Sequence, residues 1–273
     1  MSKRAARRPG GGPAIDVLIP AIEKDLHTLP YVIDSIRAFV RHPIGRIYVV
    51  SPDSRRIRAL CAKKKCTFVL ETRLLPLTKS RIRYRSRTWD RSGWLYQQLL
   101  KLSGDRVCRR SFLVVDADTV FIRPHRFRIG GRPVFYCRNW SQPEYFRTYR
   151  KLMGRRKTAP RSFVTHYMLF ERSKLRSLKK TMEKRHGRPW YKAILKSIDR
   201  RKQFGFSEFE TYGNYVYAHR SKSCILRSAR NKALSSHPSR LKGSLVRRLS
   251  KAYRTVSFHQ RSVYKRGVKA RRR

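Results

Sequence analysis

Phe112-Leu-Val-Val-Asp-Ala-Asp118 ends an apolar run on two carboxylates two residues apart. In an extended chain that spacing turns both side chains to one side. Hard carboxylate oxygens suit Mg2+ or Mn2+, whose remaining ligands are commonly phosphate oxygens. The same residues could equally serve a turn by capping backbone N–H groups. The chain holds 68 Lys and Arg but only 16 Asp and Glu, so an accidental Asp-x-Asp is less expected here. His259, closing Thr255-Val-Ser-Phe-His259, could offer a neutral imidazole to the same cation. A lone His is also commonly a surface or packing residue. Glu208 and Glu210 form a second pair with the same spacing, set among Phe204, Phe206, Phe209 and Tyr212. Desolvation by such neighbours raises a carboxyl pKa and makes it usable as a general base. These carboxylates could instead bind substrate hydroxyls or pair with the abundant Arg. His166 could meet a substrate or fill a pocket wall. Around the run Trp94-Leu-Tyr-Gln-Gln-Leu-Leu-Lys101, Arg91 or Lys101 could offset diphosphate charge, and Gln97 and Gln98 could read a base or sugar hydroxyls.

Such side chains need elements that bring strand ends together. Ala14–Pro20 is a short apolar run that reads as a buried strand. Leu29–Val40 repeats apolar residues at the spacing of one helix face, and His42-Pro43 stops it. Arg46–Val50 is a second strand, Ile57–Lys64 a helix and Cys66–Leu70 a third strand. This alternation predicts a mainly parallel α/β sheet with right-handed crossovers. Leu74–Trp89 is basic and irregular. Ser92 is placed to cap a helix over Gly93–Leu102, which Gly104 ends. The strand Phe112–Val115 then delivers the Asp pair, and Val120–Ile122 continues the apolar run. Pro133–Tyr136 reads as a strand, Ser162–Phe170 as an apolar stretch that pairs nearby, and Ser173–Ile198 as a basic helical region. Gly205–Gly213 is an aromatic and acidic island, and Tyr253–His259 a last short strand. In open α/β sheets, ligands collect beyond the carboxyl ends of the strands, where Asp116 and Asp118 fall.

Composition narrows the class. An apolar fraction of 40% and an aromatic fraction of 11% are those of a globular chain, not of a disordered basic one. A net charge of +52 implies anionic partners: nucleic acid bound nonspecifically, an anionic membrane surface, or phosphorylated substrates. It is also compatible with a basic surface that has no dedicated partner. Residues 1–13 and 263–273 read as basic tails flanking one domain at 14–262. Five cysteines without a Cys-x-x-Cys pair argue against a zinc cluster or disulfide framework. No apolar run reaches the roughly 20 residues that cross a bilayer. The expectation is a cytoplasmic protein, with peripheral contact to the anionic inner face of the membrane. Gly-x-x-x-x-Gly-Lys-Ser/Thr, Gly-x-Gly-x-x-Gly and Gly-x-Ser-x-Gly are absent. That argues against P-loop, dinucleotide and α/β-hydrolase chemistry.

Several stretches together resemble a bacterial family of glycosyltransferases with the GT-A fold. They are Asp16–Pro20, His42–Tyr48, Asp90–Trp94 with Gln97 and Gln98, and Phe112–Thr119. Ser162–Phe170, Phe206–Asn214 and Ser257–His259 extend the match over nearly the whole chain outside the tails. The resemblance implies a Rossmann-like, mainly parallel sheet and a nucleotide-sugar donor. Pro20, Ala21, Ser51 and Asp53 would flank the nucleoside. Arg91, Gln97, Gln98, Lys101 and Asp116 would meet the rest of the donor. Asp116, Asp118 and His259 would hold Mn2+ or Mg2+. His166, Glu208 and Glu210 would build the side that faces a glycan, lipid or other acceptor. The expected activity is a metal-dependent sugar transfer. The rival expectations are an idle nucleic-acid-binding α/β protein and a nucleotidyltransferase.

Overall fold

The computed structural model describes residues 12–258. The first half alternates strand and helix as the pattern demands. β1 (Ile15–Pro20), α1 (Leu29–Phe39), β2 (Ile44–Ser51), α2 (Arg55–Lys63) and β3 (Thr67–Leu70) follow in turn. After them come the short α3 (Lys79–Ile82), α4 (Ser92–Leu102) and β4 (Phe112–Val115). Ser54 caps α2, its hydroxyl accepting the Ile57 N–H at 3.2 Å. Ser92 does not cap α4. It is the first helical residue, its own N–H donating to Asp90 and its hydroxyl accepting the Tyr84 N–H.

β5 (Thr119–Phe121), β6 (Arg128–Ile129) and β7 (Arg132–Cys137) lead to α5 (Pro143–Met153). β8 (Tyr167–Phe170) then precedes α6 (Arg172–His186) and α7 (Trp190–Ser197). The single helical region expected over 173–198 is two helices. Gly187 takes a left-handed φ of 59° that ends α6, and Pro189 precedes α7. α8 (Glu208–Arg220) grows out of the aromatic island, with the Ser207 side chain accepting the Glu210 N–H at 3.2 Å. β9 (Ile225–Ser228), β10 (Asn231–Ala233), α9 (Gly243–Ala252) and β11 (Thr255–Ser257) are the last elements among the described residues.

The central sheet has the order β3-β2-β1-β4-β8, with the first four strands parallel and β8 antiparallel to β4. Two smaller sheets, β10-β11-β5 and β6-β7-β9, flank it. Strand parity divides the interior into two cores. Leu18, Val50, Phe112 and Val114 face Leu99, Tyr149, Leu178 and Tyr212. Val17, Val49, Leu113 and Val115 face Val32, Ile36 and Ile57 on α1 and α2. This is the mixed, mainly parallel single domain that the sequence implies. Helices on both faces hold the strand ends rigidly at one edge. Among the described residues no helix is long and apolar enough to cross a membrane.

Candidate active site at the carboxyl ends of the strands

β4 runs out at Val115, and the next residues turn instead of extending. The Thr119 N–H donates to the Asp116 carbonyl at 3.1 Å, closing a tight turn over Asp116, Ala117 and Asp118. Three contacts fix that turn. The Asp116 N–H donates to the His166 carbonyl at 2.9 Å, and the Thr28 hydroxyl donates to the Ala117 carbonyl at 2.7 Å. The Phe258 N–H donates to the Asp118 carbonyl at 3.0 Å. The two carboxylates therefore reach one space because of a turn, not because of strand parity. Asp116, Asp118 and His166 each offer a ligand atom, all within 4.8 Å of one another.

His166, expected on the acceptor side, thus stands in the place foreseen for a third metal ligand. Its Nδ1 lies 3.2 Å from Asp116 Oδ2. An ionised carboxylate only accepts, so that bond needs the proton on Nδ1; a metal would then be held by the Nε2 lone pair of the neutral ring. His259 lies outside the described residues. Two carboxylates and an imidazole nitrogen make a donor set that fits Mn2+ or Mg2+. Its partial exposure leaves room for further oxygen ligands.

Behind the Asp pair lies a buried charge relay. Lys101, 4% exposed at the end of α4, donates to Asp116 Oδ1 at 2.5 Å and to Glu208 Oε1 at 2.7 Å. Burial pulls the lysine's proton affinity down, but the two carboxylates overcome this and raise it above the ordinary value. Asp116 is likewise penalised by burial, yet Lys101 and His166 hold its carboxyl well below the usual range. One ammonium cannot fully serve two acids. Glu208 lies deeper, and burial outweighs Lys101 there and pushes its carboxyl up. The Glu208 N–H in turn donates to Gln98 Oε1 at 3.1 Å, while Gln98 Nε2 is buried with no hydrogen-bond partner among the described residues.

The shared role expected of Glu208 and Glu210 does not survive the helix that carries them. Successive residues turn by about 100°, so i and i+2 point to nearly opposite sides. Glu210 is fully buried. It accepts from the Ser162 hydroxyl through Oε1, and from Asn214 Nδ2 at 2.9 Å through Oε2. Those bonds make it an anchor for the segment before His166, not a group turned to an acceptor. Arg91 begins α4 whereas Lys101 ends it, about 15 Å away along the helix. Its guanidinium lies 4.8 Å from the centre of the Phe204 ring.

The remaining expected residues sit at the strand ends. Pro20 and Ala21 close β1, and the Ala21 N–H donates to the Val50 carbonyl. Ser51 ends β2, its hydroxyl buried with no hydrogen-bond partner among the described residues. Asp53 is exposed and paired with Arg58 at 2.9 Å. Gln97 is half-buried on α4. Sequence reasoning missed Asp25 and Thr28. Asp25 lies in the turn after β1; burial chiefly pushes its carboxyl up, and the charge of Asp118 adds to the rise. The only signal in the sequence was their place in the first βα connection.

The chain belongs to the family described as "Family of unknown function (DUF6492)", which it matches over residues 14–241. No curated protein matches it. Among solved structures, the fold is similar to the bifunctional glycosyltransferase WbbM, with a TM-score of 0.51 at 12% identity. That likeness covers 93% of this chain and 47% of WbbM. The galactosyltransferase LgtC aligns at a TM-score of 0.46 and 14% identity, covering 89% of this chain and 87% of LgtC. Mouse xyloside xylosyltransferase 1 aligns at 0.47 and 12% identity, covering 92% of this chain and 99% of that one.

Proposed function

We propose that this protein is a metal-dependent glycosyltransferase, moving a sugar from a nucleoside-diphosphate sugar to an acceptor hydroxyl. The observation that carries the reading is the Asp116, Asp118 and His166 cluster at the carboxyl end of β4, its ligand atoms within 4.8 Å. The fold likeness to WbbM agrees with it. Asp116, Asp118 and His166 hold the cation, with His259 as a further candidate. When bound, Mn2+ or Mg2+ neutralises the charge that builds on the departing diphosphate.

The chain's own groups do the rest. Lys101 keeps Asp116 ionised and fixed in direction. Glu208 holds Lys101, and Gln98 holds the backbone of Glu208, so the three form a positioning chain beneath the site. Pro20, Ala21 and the Ser51 hydroxyl line the end of the sheet where a nucleoside would lie.

The test is nucleoside-diphosphate release from a panel of nucleotide sugars with Mn2+, with and without chelator. Release that chelator abolishes supports the reading. Release of pyrophosphate would make the protein a nucleotidyltransferase. No response to any donor, together with salt-resistant nucleic-acid binding, would make it a nucleic-acid-binding protein.

A further inference from the structure

His42-Pro-Ile-Gly-Arg-Ile-Tyr48 takes no part in the site above. It opens β2, so the parallel sheet puts it at the end opposite Asp116 and Asp118. There the connections entering β2 and β3 enclose a cleft of about 420 Å³. Arg37, Arg41, Arg46 and Lys65 line it with His42, and no carboxylate is among the residues that line it. Acids on the adjoining elements are already engaged. Asp16 accepts the N–H groups of Arg46 and Arg109 at 3.0 and 3.1 Å and meets Arg110 at 3.5 Å. Asp34 pairs with Lys64 at 2.5 Å.

Packing explains part of this motif. A Cβ on Gly45 would stand 2.5 Å from Asp16 Oδ1, so glycine is required there by the buried acid. The Pro43 carbonyl accepts the Ile15 N–H. Packing does not explain His42, which is 6% exposed. The Phe127 N–H donates to His42 Nε2 at 2.9 Å, so in the neutral ring Nδ1 bears the proton. Burial, with the charges of Arg128 and Arg126, pushes the ring's proton affinity down. That Nδ1–H is buried with no hydrogen-bond partner among the described residues, an unfavourable state for a donor. The cations around it are not collapsed onto acids. Arg37 Nη2 donates to the Lys64 and Lys65 carbonyls, and Arg41 Nη1 to that of Ala38. Each guanidinium keeps further N–H groups.

We propose that this cleft binds a small phosphate-class anion. Arg37, Arg41, Arg46 and Lys65 supply the charge, and His42 stands in the wall of the cleft. Guanidinium groups favour phosphate because two parallel N–H bonds match two of its oxygens. The same chemistry is offered by free phosphate and by the phosphomonoester headgroup of a lipid. The inference is independent of the transferase reading.

The test uses the full chain with chelator present, titrated with inorganic phosphate at constant ionic strength. Binding is followed by calorimetry and by the His42 ring resonances. A parallel arm uses phosphatidylcholine vesicles with and without phosphatidic acid. Saturable binding that moves the His42 signal is expected, about tenfold weaker in Arg41→Gln/Arg46→Gln, equal to about 1.4 kcal/mol. Thermal unfolding without phosphate should be unchanged in that variant. Lys65→Asn keeps a residue that tolerates the left-handed φ of 49° and removes one cation, so it tests the same point should the double variant fold poorly. Binding to phosphatidic acid alone assigns the headgroup as the source. Equal response to chloride, unchanged affinity in both variants, or no binding in either arm would overturn the proposal.

Discussion

Asp116 and Asp118 share their spacing with Glu208 and Glu210, and the two pairs do unlike things. The first pair stands on a turn, partly exposed, and converges with His166 on one space. The second stands on a helix and diverges: Glu208 reaches Lys101, which also binds Asp116, while Glu210 reaches Ser162 and Asn214. Spacing alone therefore does not define a pair. The backbone conformation between the two residues decides whether they share a ligand or serve two structures.

Asp118→Asn should give the largest effect on that contrast. Donor turnover is expected to fall at least about 100-fold, the scale of losing one charge-stabilising group in an active site. Mn2+ binding by calorimetry should vanish with it, and unchanged turnover would deprive the first pair of its role. Lys101→Met comes next, because it leaves Asp116 and Glu208 without their shared cation. Breaking a buried pair costs about 3–5 kcal/mol, readable by chemical denaturation. Adding Glu208→Gln should restore part of that loss, and strictly additive losses would show that the two do not interact.

Glu210→Gln should cost about 1–3 kcal/mol through weakened bonds to Ser162 and Asn214, with turnover nearly intact. Glu208→Gln should lower kcat more than it lowers stability. Equal losses of turnover in both variants would erase the distinction drawn between them. The smallest effect is on pH dependence. Burial raises the Glu210 carboxyl above its ordinary 4.5, though Ser162 and Asn214 oppose this. The folded state then binds the proton more tightly than the unfolded chain. Its contribution to stability is full below 4.5 and declines as pH rises through the folded value. Asp116 has the opposite sign: its contribution is complete above 3.8 and fades as pH falls toward its lower folded value. A stability–pH curve of Glu210→Gln should lack the first decline and keep the second loss.

Much of the scaffold was legible because its signals are local. β1 to β4 are apolar runs bounded by Pro, Gly or polar residues, and α1 repeats its apolar face at helical spacing. α5 was not foreseen, although Pro143 opens it and Gly154 ends it in a left-handed turn. Its buried face, Tyr145, Thr148, Tyr149, Leu152 and Met153, does recur at helical spacing. α9 was likewise not foreseen, although Leu245, Val246 and Leu249 recur at helical spacing with Arg247, Arg248 and Lys251 between them. In the site, the Asp pair and Lys101 could be picked out by residue type. The bond from Lys101 to Glu208 joins residues 107 apart in the chain, and no local pattern encodes it.

The sequence by itself determined the alternating elements, the scarcity of acid and the position of an Asp-x-Asp at a strand exit. These depend on side-chain type and on periods of two or 3.6 residues, which are written along the chain. Only the tertiary structure decided that His166 joins the Asp pair, and that Glu208 meets Lys101 while Glu210 meets Ser162. Those outcomes depend on directions and distances between elements. They follow from β8 lying against β4, from α8 packing beneath α4, and from the desolvation that makes a shared ammonium the only stable partner for two buried acids.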